Sequence, residues 1–339
     1  MEKVLTVIVP SYNAEAYIRH NLESFCIKRI LDDIEILVIN DGSYDHTADI
    51  AQEFVTRYPD SYKLINKENG GHGSGINCGI QNALGNYLKV VDADDWVDQD
   101  AFINLVEILK TCNADVIYSG FLWVFDNGES DMELCQRKAE FKEPFKHVVY
   151  QKKYVFDEVA EQLYMKMHNI TIRTEILKGH QIQMDEHCYY VDTEFITYSI
   201  PYVKTICFIN EFVYQYRIGH QGQSISLEKM QMNEQNYDRV LDSLFRFYRK
   251  LGKTILCSVE KKDYIARIIA RVVAGKIKIM LSFPSSYSKK QELLRFDEKI
   301  RVSYPEIYEK NQNCAVHILR MNPYLLYYPA SMLVKKKYK

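Results

Sequence analysis

The chain has 339 residues, 47% of them hydrophobic and 26% charged, with a formal net charge of −2. That length holds more than one domain, and the composition is that of a globular protein rather than a disordered or fibrous one. The near-neutral charge argues against nucleic acid as a partner, and no run of about 18 apolar residues exists to span a membrane.

The first 121 residues alternate between two patterns. "VLTVIV" (4–9), "IEILVI" (34–39), "YKLI" (62–65), "YLKVV" (87–91) and "DVIYSGF" (115–121) are short apolar runs of the kind that buried parallel strands require. Helical spacing fills the gaps. One helix carries Ala16, Ile18, Leu22 and Phe25, a second follows Asp45, and a third contains Ile76, Ile80 and Ala83. A fourth, "QDAFINLVEILKT", sets Phe102, Leu105, Val106 and Leu109 on one face. Strands alternating with helices predict an α/β fold with a mostly parallel central sheet flanked by helices. Ligands of such sheets bind beyond the carboxyl ends of the strands. Four polar clusters sit there in succession: "PSYN", "NDGS", "NKENGGHGSGIN" and "DADD".

Residues 122–227 are less regular, with a helix expected near 157–166 and paired strands over 205–209 and 212–218. From 228 to 339 the pattern is long and amphipathic, so a helical C-terminal domain is expected after a first domain of residues 1–227. The eight cysteines are scattered, without C-x-x-C pairs or zinc spacing, as reduced thiols would be. The N-terminus enters a strand pattern without a signal-peptide layout, so the expected location is cytoplasmic.

"VVDADDWVD" (90–98) crowds four aspartates that repel one another unless water or a cation intervenes. Asp92 and Asp94 suit a hard divalent cation, Mn²⁺ or Mg²⁺, that shares its coordination with substrate phosphates. They read equally well as a solvated turn. Asp98 or Asp100 reads as the cap of the next helix. Asp41, before Gly42, is either a strand-end acceptor for a ribose or base edge, or an Asx turn. The glycine run fails the dinucleotide fingerprint, because Ile76 and Cys78 stand where its last glycine is needed. A nicotinamide-dependent oxidoreductase is therefore disfavoured.

In this order, "VLTVIVPSYNAEAYI", "EILVINDGSYDHTADIA", "NGGHGSGINCGIQNALGNYLKVVDADDWVD" and "YYVDTEFITYSIPYVKTICFINEFVYQYRIGHQGQSIS" resemble the family 2 glycosyltransferases, over roughly residues 4–227. The likeness is to bacterial members that build capsular and other surface polysaccharides. It implies a GT-A nucleotide-diphospho-sugar transferase fold, with residues 1–121 as the nucleotide-binding half and 122–227 as the acceptor and donor-loop half. It implies a nucleotide-sugar donor, first of all a UDP-sugar, with Mn²⁺ or Mg²⁺ and a surface-glycan or lipid-linked acceptor. Pro10, Ser11, Tyr12 and Asn13 would surround the base, Asp41 would bond it, and Gly73 and Asn77 would lie beside the nucleotide. Asp92 would serve ribose and metal, Asp94 the metal directly, and Asp95 the donor sugar.

Where the family commonly shows Glu-Asp, this chain has Val191-Asp192. Asp192 keeps the place of the general base of an inverting enzyme, with Glu194 as second choice, and a helix cap as the plain alternative. The segment 214–226 resembles the family's donor loop. It would set Arg217 and His220 on the diphosphate and Gln223 and Ser224 on the donor. His168 would line the acceptor side. Each of these five also reads as ordinary packing. The alternative function is a catalytically silent sugar-nucleotide-binding subunit of a polysaccharide assembly complex. Loss of Asp92, Asp94 or Asp192 would favour it, and all three are present. The stretch "NPYLLYYPASMLVKKKYK" (322–339) reads either as a peripheral contact at the inner face of the cell membrane or as a floppy chain end, and "IARIIARVVAGKIKIM" (265–280) either as part of that contact or as a core helix.

Overall fold

The structure is a computed structural model that describes residues 2–126, 135–140, 143–219 and 227–337. The chain forms two compact units, Met1–Gln221 and Gly222–Lys339.

The first unit begins with β1 (Leu5–Ser11), α1 (Ile18–Ser24), β2 (Ile34–Asn40), α2 (Thr47–Arg57), β3 (Tyr62–Asn66), α3 (His72–Asn82) and β4 (Tyr87–Val90). Every residue of β1, β2 and β4 is buried, so helices or other chain cover both faces of the sheet there. It continues with β5 (Trp96–Val97), α4 (Gln99–Thr111), β6 (Val116–Phe125), β7 (Gln136–Ala139), β8 (Lys153–Val155), α5 (Phe156–Val159), β9 (Ile170–Arg173), α6 (Thr174–Gly179), α7 (Asp192–Ser199) and β10 (Thr205–Ile218). Among the described residues the sheet order is β3-β2-β1-β4-β9-β6-β10-β5, with β7 beside β6 and β8 beside β10. The strands β3, β2, β1 and β4 run parallel. Beyond β4 the sheet is mixed: β9 is antiparallel to both neighbours, and β6 and β10 are parallel to each other. The register pairs Ser11 with Asn40 and Asn40 with Asn66, so the loops after β1, β2 and β3 leave one edge together.

Two local expectations change. The strands expected over 205–209 and 212–218 are one strand, β10, with a register shift between Phe208 and Tyr214. Asn210 and Glu211 bend it without reversing it, and both halves pair with β6. The helix expected near 157–166 is the single turn α5 and a 3₁₀ turn over Ala160–Gln162, ended by an extended, buried Leu163.

The second unit contains α8 (Leu227–Met232), α9 (Glu234–Lys250), α10 (Val259–Ser282), α11 (Tyr287–Ser303), α12 (Pro305–Glu309), α13 (Cys314–Met321) and α14 (Tyr327–Lys337). Its core is the apolar face of α10, including Tyr264, Ile265, Ile269, Val273 and Ile277. The buried ammonium of Lys276 is paired with Glu234 and Asp238 of α9, as a buried cation requires. No helix among the described residues is long and apolar enough to cross a membrane.

Candidate active site

The loops after β1 and β2 are knitted together. The Asn13 N–H donates to Ser43 Oγ (3.0 Å) and the Tyr44 N–H to Asn13 Oδ1 (2.9 Å). Pro10 and Ser11 are buried beneath, while Tyr12 is exposed and meets Tyr44 edge to face. Asp41 is buried, and its carboxylate accepts from the N–H groups of Gly70 (2.9 Å) and Gly71 (2.7 Å) and from Lys67 Nζ (2.7 Å). A strand-end carboxylate thus shapes the glycine loop that opens α3, with Gly71 at φ +82.

Gly73 and Asn77 fix the segment leading towards α7. A Cβ on Gly73 would stand 2.2 Å from the carbonyl oxygen of Asp185, an approach only glycine permits. The Asn77 amide donates to the Met184 carbonyl and accepts its N–H, both at 2.9 Å. Beside them a polar groove of about 420 Å³ is lined by Lys67, Asn69, Gly70, Ser74, Asn77 and Glu186, among others, and by none of Asp92, Asp94, Asp95 or Asp192.

The acidic turn is held from several sides. The Asp95 N–H donates to the Asp92 carbonyl (3.0 Å), and Asn21 Nδ2 donates to the carbonyls of Asp92 (3.0 Å) and Asp95 (2.8 Å). Tyr214 of β10 donates its hydroxyl to the Asp95 carboxylate and accepts the Asp92 N–H. Arg217 gives its N–H to Asp95 Oδ1 (2.8 Å) and its Nε–H to the Asp94 carbonyl (2.9 Å), and pairs with Asp126 (3.1 Å). Burial, then the charges of Asp94 and Asp92, push the pKa of Asp95 well above the usual carboxylate range. Asp98 caps α4 by accepting the Ala101 N–H (2.9 Å).

His72, the first residue of α3, bridges two carboxylates. Its Nε2 lies 2.9 Å from Asp92 Oδ1 and its Nδ1 lies 3.5 Å from Asp192 Oδ1. Burial disfavours the imidazolium, but Asp92, Asp192 and Asp94 outweigh it and push the pKa up to about 9. Burial also works to raise Asp92, yet the charge and hydrogen bond of His72 hold it below its ordinary value. At Asp192 the packed cleft raises the pKa although 47% of the side chain is exposed; His72 opposes the rise and Asp92 adds to it.

Asp192 and Glu194 point different ways from α7. Glu194 is fully buried and accepts the Asp185 N–H at 2.8 Å. Asp192 opens the helix without a capping hydrogen bond, since the N-cap position is Val191. His168 lies beneath the acidic turn, its ring 4.6 Å from those of Tyr214 and Tyr216. Burial lowers its pKa to about 4, and neither ring nitrogen has a hydrogen-bond partner. Asp92, Asp95 and His168 each offer a ligand atom within 4.8 Å of the others, and two carboxylates with an imidazole form a donor set that fits a divalent cation. Asp94 is outside that trio and partly exposed on the same turn. His220, Gln223 and Ser224 lie outside the described residues.

Two residues have no role in the sequence reading. The signal for His72 is an imidazole set in a run of glycines at a helix start. The signal for Lys89 is a cation in an apolar strand. It is fully buried, donates to the carbonyls of His168 (2.8 Å) and Ile170 (3.4 Å), and is lowered by burial to about 7.

The mixed sheet with acidic and glycine loops at its carboxyl edge has the GT-A type of fold. The sequence model of glycosyl transferase family 2 matches residues 6–183, more than half of the chain, and the chain belongs to that family. It is 26% identical over 307 residues to the uncharacterized glycosyltransferase EpsJ of Bacillus subtilis (strain 168), covering 88% of this chain and 85% of EpsJ. It is 26% identical over 250 residues to the minor teichoic acid biosynthesis protein GgaB of the same organism, covering 73% of this chain but 26% of GgaB. Among solved structures, S. aureus TarS 1–349 in complex with UDP superposes with a TM-score of 0.64 at 16% identity, over 99% of this chain and 91% of that one. At that identity the likeness is one of fold.

Proposed function

We propose that the chain transfers a glycosyl unit with inversion from a nucleotide-diphospho-sugar, a UDP-sugar first of all, to a hydroxyl of a surface-glycan or lipid-linked acceptor. The carrying observation is the convergence of Asp92 and Asp192 on His72. It sets a half-exposed carboxylate from α7 beside the acidic turn at the end of β4. The TarS complex with UDP and the teichoic acid role in the name of GgaB support the donor and acceptor classes.

In this reading the catalytic domain is residues 1–227. The nucleotide lies over Pro10, Ser11, Tyr12 and Asn13, beside the loop that Asp41 organises. Asp94 and Asp92 would hold the divalent cation, Mn²⁺ or Mg²⁺; of the trio Asp92, Asp95 and His168, Asp95 is the one whose two carboxylate oxygens each already accept a hydrogen bond from Tyr214 or Arg217. When bound, the cation stabilises the charge that develops on the leaving diphosphate. Asp192 accepts the proton of the acceptor hydroxyl as its oxygen bonds the anomeric carbon and the bond to the diphosphate breaks. A raised pKa brings Asp192 closer to the proton affinity such a base needs. His72 is a positioning residue that holds Asp192 towards the acidic turn. Arg217 orders the turn through Asp94 and Asp95. The enzyme would work in the cytoplasm at the membrane's inner face, where lipid-linked acceptors are presented.

The test is a panel of UDP-, GDP- and dTDP-sugars incubated with purified protein and Mn²⁺ or Mg²⁺, with and without glycan and lipid-linked acceptors. Release of nucleoside diphosphate and an inverted product are expected from one donor. No turnover across the panel would overturn the reading.

A further inference from the structure

We propose that the last two helices form a surface that lies on an anionic membrane. The buried face of α14 carries Tyr327 and Ser331, and the Ser331 hydroxyl donates to the Leu281 carbonyl of α10 at 2.6 Å. The opposite face carries Tyr328, Met332 and Leu333, with Met332 71% and Leu333 69% exposed. On α13 and in the turn after it, Ile318, Met321, Leu325 and Leu326 are exposed as well. A soluble face would be polar at these positions. Seven large apolar side chains exposed within residues 318–333 form a concentration that asks for a covering partner.

Charge selects the partner. Residues 310–339 contain six Lys and Arg and no Asp or Glu; Lys310 pairs with Asp263 and Arg320 with Asp297, which leaves Lys335, Lys336, Lys337 and Lys339 as a cationic end in a chain whose formal net charge is −2. Lys336 shares the outward face of α14 and is exposed. Two copies of so cationic a segment repel in a face-to-face dimer, whereas an anionic lipid surface attracts it. Tyrosine with aliphatic side chains suits the headgroup boundary, and lysine suits the phosphates just outside it. The helices are too short and too mixed to span, so they lie in the plane of the interface. This inference uses no part of the proposed chemistry.

The experiment is co-sedimentation of the full chain with vesicles of phosphatidylcholine alone and with vesicles of equal parts phosphatidylcholine and phosphatidylglycerol. Met332→Glu with Leu333→Glu, and separately Lys335→Glu with Lys336→Glu, are compared with the parent, and melting curves show that each variant is folded. The parent partitions to the anionic vesicles, less so at high salt, and each double variant loses about tenfold or more of that partitioning. Equal partitioning of parent and folded variants, or no preference for anionic vesicles, would overturn the proposal. A parent that ignores vesicles but elutes as an oligomer, dissociated by the Met332 and Leu333 changes, would also overturn it and assign the face to a second copy.

Discussion

His72 stands between Asp92 and Asp192, 2.9 Å from the first and 3.5 Å from the second. The three come from the start of α3, the end of β4 and the start of α7, so one imidazole ties the acidic turn to the carboxylate expected to act as base.

Replacing that imidazole tests the tie. In His72→Asn the cation that opposes the raised pKa of Asp192 is gone, so that pKa rises further. The acid limb of the pH–rate profile moves to higher pH, and kcat falls about 10- to 100-fold with a smaller change in UDP affinity. An unchanged acid limb with equal losses in kcat and UDP binding would assign His72 to the fold alone.

Asp94→Ala should remove the divalent-cation dependence of UDP binding. Calorimetric titration with UDP, with Mn²⁺ and with EDTA, reads this directly. Parent-like affinity in the variant with Mn²⁺ would contradict a ligand role for Asp94.

Gly73→Ala places a methyl against the Asp185 carbonyl, a backbone atom that can move only with its segment. The expected loss is about 1–3 kcal/mol of stability, with transfer reduced as well. Gly179→Ala, whose nearest neighbour is the Glu175 side chain at 3.9 Å, should melt like the parent.

His168 makes stability depend on pH. Its folded pKa is about 4, below the ordinary value of 6.5, so between those values the unfolded chain binds a proton that the folded chain refuses. The neutral ring is fully compatible with folding above pH 6.5, and stability is lost as pH falls from there towards 4. Between pH 7 and pH 5 the loss is about 2 kcal/mol. Denaturant titrations of His168→Leu should show a shallower loss over that interval. A parallel loss would place the titrating group elsewhere.

Much of the first unit is legible in the sequence because its strands are buried on both faces and therefore apolar throughout, as in β1 and β2. The acidic and glycine loops stand out because they interrupt those runs at the same end of the sheet. The partners of the site residues are less legible. That Gly73 meets Asp185, or that His72 reaches Asp192, depends on how α3 packs against a segment more than a hundred residues further on. Glu194 and Asp192 read alike in "VDTEF", and only the direction of α7 separates a buried acceptor of a backbone N–H from a carboxylate in the cleft. The bend at Asn210 and Glu211 looks like a hairpin turn because turn residues mark bulges as well as reversals.

The most direct measurement compares Asp192→Asn with Glu194→Gln in single-turnover transfer and in UDP binding. A general base at Asp192 predicts that Asp192→Asn binds UDP within about threefold of the parent while transfer falls about a thousandfold or more, and that Glu194→Gln keeps most of the rate. Near-parent transfer by Asp192→Asn would contradict the account, whatever Glu194→Gln does.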